Sequence, residues 1–182
     1  MKTDMTTDSR WSLGARKRWQ ITAELMTCSS LHIGSSEYVY HEDIKKEKDG
    51  EEKGELAEIN SVMRGKDDLP IIPGSTLKGK LRQWLVERDT DPGLLEMVFG
   101  KESPQGGGQG GGGLAEFHDA QIAERLTGDQ PHFPYWREDR QTWIMASTAI
   151  DRHTRSALHR HLRYAEAVPP GVVFKVVISG VL

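Results

Sequence analysis

Trp19, Ile21, Ala23 and Leu25 alternate with Gln20, Thr22, Glu24 and Met26, and a period of two from Trp19 to Thr27 predicts a half-buried strand. The chain leaves it at Leu31 to Tyr40 through Ser- and Gly-containing sequence, where His32 reads as a loop histidine that packs locally. The period changes between Leu69 and Arg88. Pro73 and Gly74 end an apolar run, Ser75 suits an N-cap, and Leu77, Leu81, Trp84 and Leu85 recur at helical spacing on one face. Lys78 and Arg82 lie one turn apart on another face, so the expectation is a buried helix with a basic rim. Asp91-Pro92-Gly93 closes this helix with turn chemistry, and Leu94 to Gly100 is a short apolar segment. Order resumes at Leu114 to Arg125. Gly128 to Arg140 connects, with Tyr135 and Trp136 packing locally or stacking on bases; Trp143 to Ala149 and Val172 to Ser179 read as strands. The sum is an α+β sheet with helices on one face.

Between these elements the pattern breaks down. Residues 1–18 are polar without a period and read as an N-terminal arm ahead of one domain spanning 19–182. Residues 41–58 are dense in charge and predict a solvated loop or an exposed helix. Residues 105–113, QGGGQGGGG, read as a flexible linker; no Lys-Ser/Thr helix start follows to make them a P-loop.

Composition narrows the class. A chain of 182 residues buries one sizeable core. Its single Cys28 excludes an internal disulfide framework and fits a reducing cytoplasm, and no long apolar run predicts a membrane span. The formal net charge of -3 hides a local excess: Ile150 to Tyr164 carries Arg152, Arg155, Arg160, Arg163 and three histidines against Asp151 alone. His153, His159 and His161 lack a paired Cys or carboxylate at ligand spacing, so no zinc site is expected. Two anion-binding features remain. One is this basic segment. The other is the helix start at Gly74-Ser75, whose first-turn amides and dipole favour a phosphate and whose glycine admits a close backbone.

Several ordered strings resemble one family. PIIPGSTLKGKLR is similar to the "P-x-IPGSSLKGxLR" motif of the RAMP superfamily, the backbone proteins of type III CRISPR effector complexes. Leu31-His32-Ile33-Gly34 resembles its "G-LHIG" segment. Phe99-Gly100 with Glu116-Phe117-His118-Asp119-Ala120 resembles "FG … l-FxDA", Ala149 to Thr154 resembles "xIDRxT", and Gly171-Val172-Val173-Phe174 resembles "vPxGxxF". The resemblance implies a ferredoxin-like, RRM-related palm with an inserted thumb hairpin at about 150–168. It also implies that the last helix and a glycine-rich segment are missing or supplied by a partner, leaving a sheet edge open. The implied function is a guide-RNA-binding backbone subunit that presents the guide to target RNA in antiviral defence, beside other RAMP-type subunits and away from any membrane. His32, Gly74, Ser75, Lys78, Arg82, Arg152, His153, Thr154 and Arg155 are the RNA-binding residues it implies. Many such subunits cut target RNA with an aspartate and a divalent metal. Here Asn60 stands at the aligned position, and a neutral amide neither balances a metal's charge nor serves as a base. No catalytic or metal-ligating residue is therefore expected, and Mg or Mn enters only if target cleavage occurs, through Asp43, Asp67 or Asp68 off the motif. A guide-processing ribonuclease of the same superfamily would need a C-terminal glycine-rich loop, whereas this glycine run is internal.

Overall fold

The computed structural model describes residues 17–48, 51–101, 111–130, 132–150, 152, 153, 155 and 157–181, without the side chains of 46–48, 51–54 and 157–161. The proposed arm up to residue 16, most of the glycine run, Asp151 and Thr154 lie outside the described residues.

Two sheets and a ribbon carry the described residues. The first sheet runs β1 (Arg18–Met26), β11 (Val173–Val181), β8 (Ala120–Glu124), β6 (Ile71–Ile72), with β7 (Ala115–Phe117) also on β11; every pairing is antiparallel. The second runs β2 (Gly34–Val39), β5 (Ile59–Val62), β10 (Ala157–Ala167), β9 (Trp143–Ile150), antiparallel except for the parallel pair β5 and β10. The ribbon pairs β3 (Lys45–Lys48) with β4 (Glu51–Leu56). Two helices, α1 (Gly74–Val86) and α2 (Pro92–Phe99), lie between the sheet strands in sequence. The mixed α+β class is as expected from the pattern.

One core gathers Ile72, Ala120, Val168, Val172, Phe174 and Val176 of the first sheet and its connections, with Leu31, Ile33 and Leu77 against it. A second gathers Ile44, Ala57, Ile59 and Ile144, with Val39 and Tyr164. The two sheets are stitched together by short backbone bridges. Met63 donates to Ile33, Ile71 to Met63, and Leu31 and Val168 exchange hydrogen bonds at 2.9 and 2.8 Å.

Four expectations are corrected. Within the charged run 41–58, Lys45–Lys48 and Glu51–Leu56 are paired strands rather than loop or helix. The run's two ends hold apolar anchors, Ile44 and Ala57, which are buried and joined by the Ala57 N–H to Ile44 carbonyl bond at 2.8 Å, so the charged middle pairs as a ribbon beyond them. Asp91-Pro92-Gly93 starts a helix as well as ending one: Asp91 Oδ1 accepts from the Leu94 amide at 2.8 Å, with Pro92 at the position where its missing N–H costs nothing. The strand β1 is not half-buried, because it lies at the sheet's edge and Ile21 stays 55% exposed there. The apolar face of α1 is buried only at its start. Leu77 joins the core, but Leu81 is exposed and Trp84 is 47% exposed, with the Arg88 guanidinium 3.8 Å from its ring centroid.

Candidate nucleic-acid interface

The start of α1 is built by a residue distant in sequence. Pro73, not Ser75, is the N-cap, and it has no side-chain capping bond. The Gly74 amide instead donates to Asp119 Oδ1 at 2.8 Å, from the tight connection between β7 and β8. Ser75 is exposed inside the first turn. Gly74 is buried, and a Cβ there would run into the Phe117 carbonyl and the backbone of His118. So the glycine admits the chain's own backbone rather than a ligand's, and a carboxylate already occupies the first amide of the helix. The sequence reading of this start as a phosphate cradle is corrected on both counts. What α1 does present is the half-buried pair Lys78 and Arg82, one turn apart and off the core face that Leu77 marks.

His32 sits close to this corner. Ile33 is bridged through Met63 to Ile71, two residues before Pro73. The exposed His32 ring is held by Nδ1 at 2.6 Å from the Glu166 carbonyl oxygen; in the neutral ring Nδ1–H donates, so Nε2 keeps the lone pair. Beneath it lies a buried ionic clasp that the sequence did not announce as a unit. Glu166, 3% exposed, accepts from Arg64 Nη2 at 2.8 and 2.9 Å, from Ser61 Oγ at 2.9 Å and from the Val62 amide at 3.3 Å. Asp68 takes Arg140 Nη2 at 3.1 Å, and its backbone carbonyl takes Arg64 Nη1 at 2.6 Å. The only hint in sequence was a carboxylate set among Ala165, Ala167 and Val168.

The other basic residues lie apart from this corner. Arg152, His153 and Arg155 are exposed in the turn between β9 and β10. The two strands pair from Ala167 opposite Trp143 out to Ala157 opposite Ile150. From Tyr164, where β10 meets β5, to Ala157 the strand extends about 23 Å. Residues 146–150, 162 and 163 of this hairpin are exposed, while Glu166, Ala167 and Val168 are buried. Arg163 therefore continues the basic stripe down towards the sheet.

Asn60 lies on the strand β5, between Tyr38 on one side and Ala165 on the other, and its Nδ2 donates to the Tyr164 carbonyl at 3.5 Å. A divalent ion does not fit the residues around it. Asp67 caps the Leu69 amide at 3.4 Å, Asp68 is committed to arginines, and Asp43 lies in the exposed turn beside His41. Among the described residues, no three of His, Cys, Asp and Glu are grouped to hold a metal. A cleft of about 300 Å³ between Arg125–Thr127 and Glu138–Gln141 is stitched shut at its base, where the buried Gln141 side chain bonds both the amide and the carbonyl of Leu126. There slight burial raises the Asp139 carboxyl, but Arg137 and Arg140 outweigh it and hold the group below the usual carboxylate range. Trp136 packs locally, as its Nε1 donates to the Gly128 carbonyl.

A family model of the RAMP superfamily matches residues 24–180. Two solved chains of type III-B Cmr-beta share the fold. One, from the apo state, is 13% identical with a TM-score of 0.56, covering 90% of this chain and 85% of that one. Another, from the complex bound to cognate target RNA, is 19% identical with a TM-score of 0.55, covering 90% of this chain and 47% of that one. This chain thus spans about half the length of the second. No curated protein matches the sequence.

Proposed function

The chain belongs to the RAMP superfamily, and from that premise we propose that it is an RNA-binding backbone subunit of a cytoplasmic type III CRISPR ribonucleoprotein. It holds the guide RNA and presents it to complementary target RNA beside other RAMP-type subunits. The observation that carries this reading is the separation of charge. A chain of net charge -3 places Arg152, Arg155 and Arg163 exposed along one projecting hairpin, and Lys78 and Arg82 on the outer side of α1. Arginine and lysine arranged in this way hold phosphates without reading bases, which suits a protein whose guide supplies the sequence information.

In this reading β1, α1, β8 and β11 form a ferredoxin-like palm and the hairpin of β9 and β10 is the thumb. Among the described residues β1 is paired on one side only, by β11, and a neighbouring subunit covers its open edge. The subunit binds rather than cuts, because Asn60 supplies no charge for a metal and spends its amide on Tyr164.

Replacing Lys78 and Arg82 together by alanine tests the reading. Guide RNA binding is expected to weaken roughly ten- to a hundredfold while the melting temperature holds, since both residues sit off the apolar face. Melting that falls together with binding would make them structural instead.

A further inference from the structure

The second sheet packs one face, while its other face is buried at Val62 and Ala167 and open towards Tyr38, Arg163 and Ser147. Val39, Ile59, Ile144 and Tyr164 turn towards the core. Neighbours in sequence turn the other way, since successive strand residues alternate. Register then fixes a row across this second face: exposed Tyr38 opposite half-buried Asn60, Asn60 beside Ala165, and Ala165 opposite Met145. Arg163, two residues before Ala165, shares this face, and Tyr40 lies one residue beyond the end of β2, two residues after Tyr38. Tyr38 and Tyr40 are 55% and 56% exposed, and neither side chain has a hydrogen-bond partner among the described residues. Next in sequence His41 tilts against the exposed Tyr135, ring centroids 4.8 Å apart.

We propose that this face is a base-stacking site, which takes unpaired nucleobases of RNA onto the rings of Tyr38 and Tyr40. The inference rests on the RNA-binding reading above and adds to it a place for bases, where that reading supplied only phosphate contacts. Every nucleobase offers a π-face, so paired aromatic rings on an open sheet bind single strands without sequence preference. Charge selects this occupant. Arg163 stands on the same face and belongs to the strand that runs about 20 Å on to Ala157, next to the turn that holds Arg155. A phosphate backbone following these arginines brings its bases to the tyrosines. Around the tyrosines the face is mostly small or polar, Ala165, Asn60, Ser147 and Ser36, with half-buried Met145 at the far side of the row, which gives a platform rather than the wholly aliphatic centre of a protein interface.

Two probes of equal length and charge separate bases from phosphates: single-stranded oligouridine and an abasic oligomer. The full chain is expected to bind oligouridine at least tenfold more tightly. Tyr38→Ala with Tyr40→Ala is expected to remove that preference, losing about ten- to a hundredfold on oligouridine and nothing on the abasic probe. Phenylalanine at both positions should keep it, and leucine, which fills the same space without a π-face, should not. Equal losses on both probes, or unchanged binding of both, would overturn the site while leaving the RNA-binding reading intact. Failure of the wild-type chain to bind either probe would overturn both. Unchanged RNA affinity with lost subunit assembly would assign the face to a protein contact instead.

Discussion

Gly74→Ala is expected to lower stability by about 3 kcal/mol or more, because the added methyl meets backbone rather than a side chain that can move aside. For a chain of this length that is a fall of roughly 6–12 °C in melting temperature. The clash falls where β7 and β8 turn, at Phe117 and His118, one residue from the Asp119 carboxylate that satisfies the Gly74 amide. Relief by moving the helix start would break that bond, so the two costs are coupled. Gly79→Ala in the same helix supplies the control. It meets nothing within 4 Å, and removing a mid-helix glycine should stabilise by up to about 1 kcal/mol. Thermal melting of the two variants checks both signs, and a Gly74→Ala protein as stable as wild type would refute the packing described for this corner.

Arg64→Ala carries the second large effect. Glu166 is buried with Arg64, Ser61, Thr142 and the Val62 amide as its donors, and Arg64 at 2.8 Å is the nearer of its two guanidinium partners, Arg140 standing at 4.0 Å. Deleting it leaves the buried carboxylate with only the more distant Arg140 guanidinium at 4.0 Å to balance its charge, which costs about 3 kcal/mol. Removing both charges should recover much of this. Arg64→Met combined with Glu166→Met keeps the volume and discards the ions, and buried pairs replaced in that way are often neutral. Equilibrium denaturation of the single and double variants gives the coupling directly. Additive losses would show that Arg64 and Glu166 do not act as a pair. Because the Glu166 carbonyl also holds His32, the single variants should loosen that ring as well.

Local periodicity showed where the strands β1, β9 and β11 and the helix α1 lie, since each is long enough for its alternation or helical spacing to register. It could not show how much of each is covered. Ile21 and Trp84 obey the pattern of buried positions yet stay exposed, because burial depends on what packs opposite, which a local period does not encode. The ribbon in 41–58 was hidden for a related reason: its charges carry no apolar period, and the two residues that anchor it, Ile44 and Ala57, look incidental until they meet in the core. The functional corner was legible in composition but not in assembly. Lys78, Arg82 and the arginines of the hairpin could be named from sequence. That Asp119, not Ser75, closes the helix start could not, because 45 residues separate it from Gly74. The tyrosine face was equally hidden, since it exists only through the pairing of β2, β5 and β10.

The central claim is that this chain holds RNA by its phosphates, and binding measured across a series of salt concentrations tests it most directly. With Lys78, Arg82, Arg152, Arg155 and Arg163 each neutralising one phosphate, the logarithm of affinity for single-stranded RNA should fall linearly with the logarithm of salt, with a slope of about -3.5. An affinity that does not change with salt, or no binding at low salt, would contradict the account.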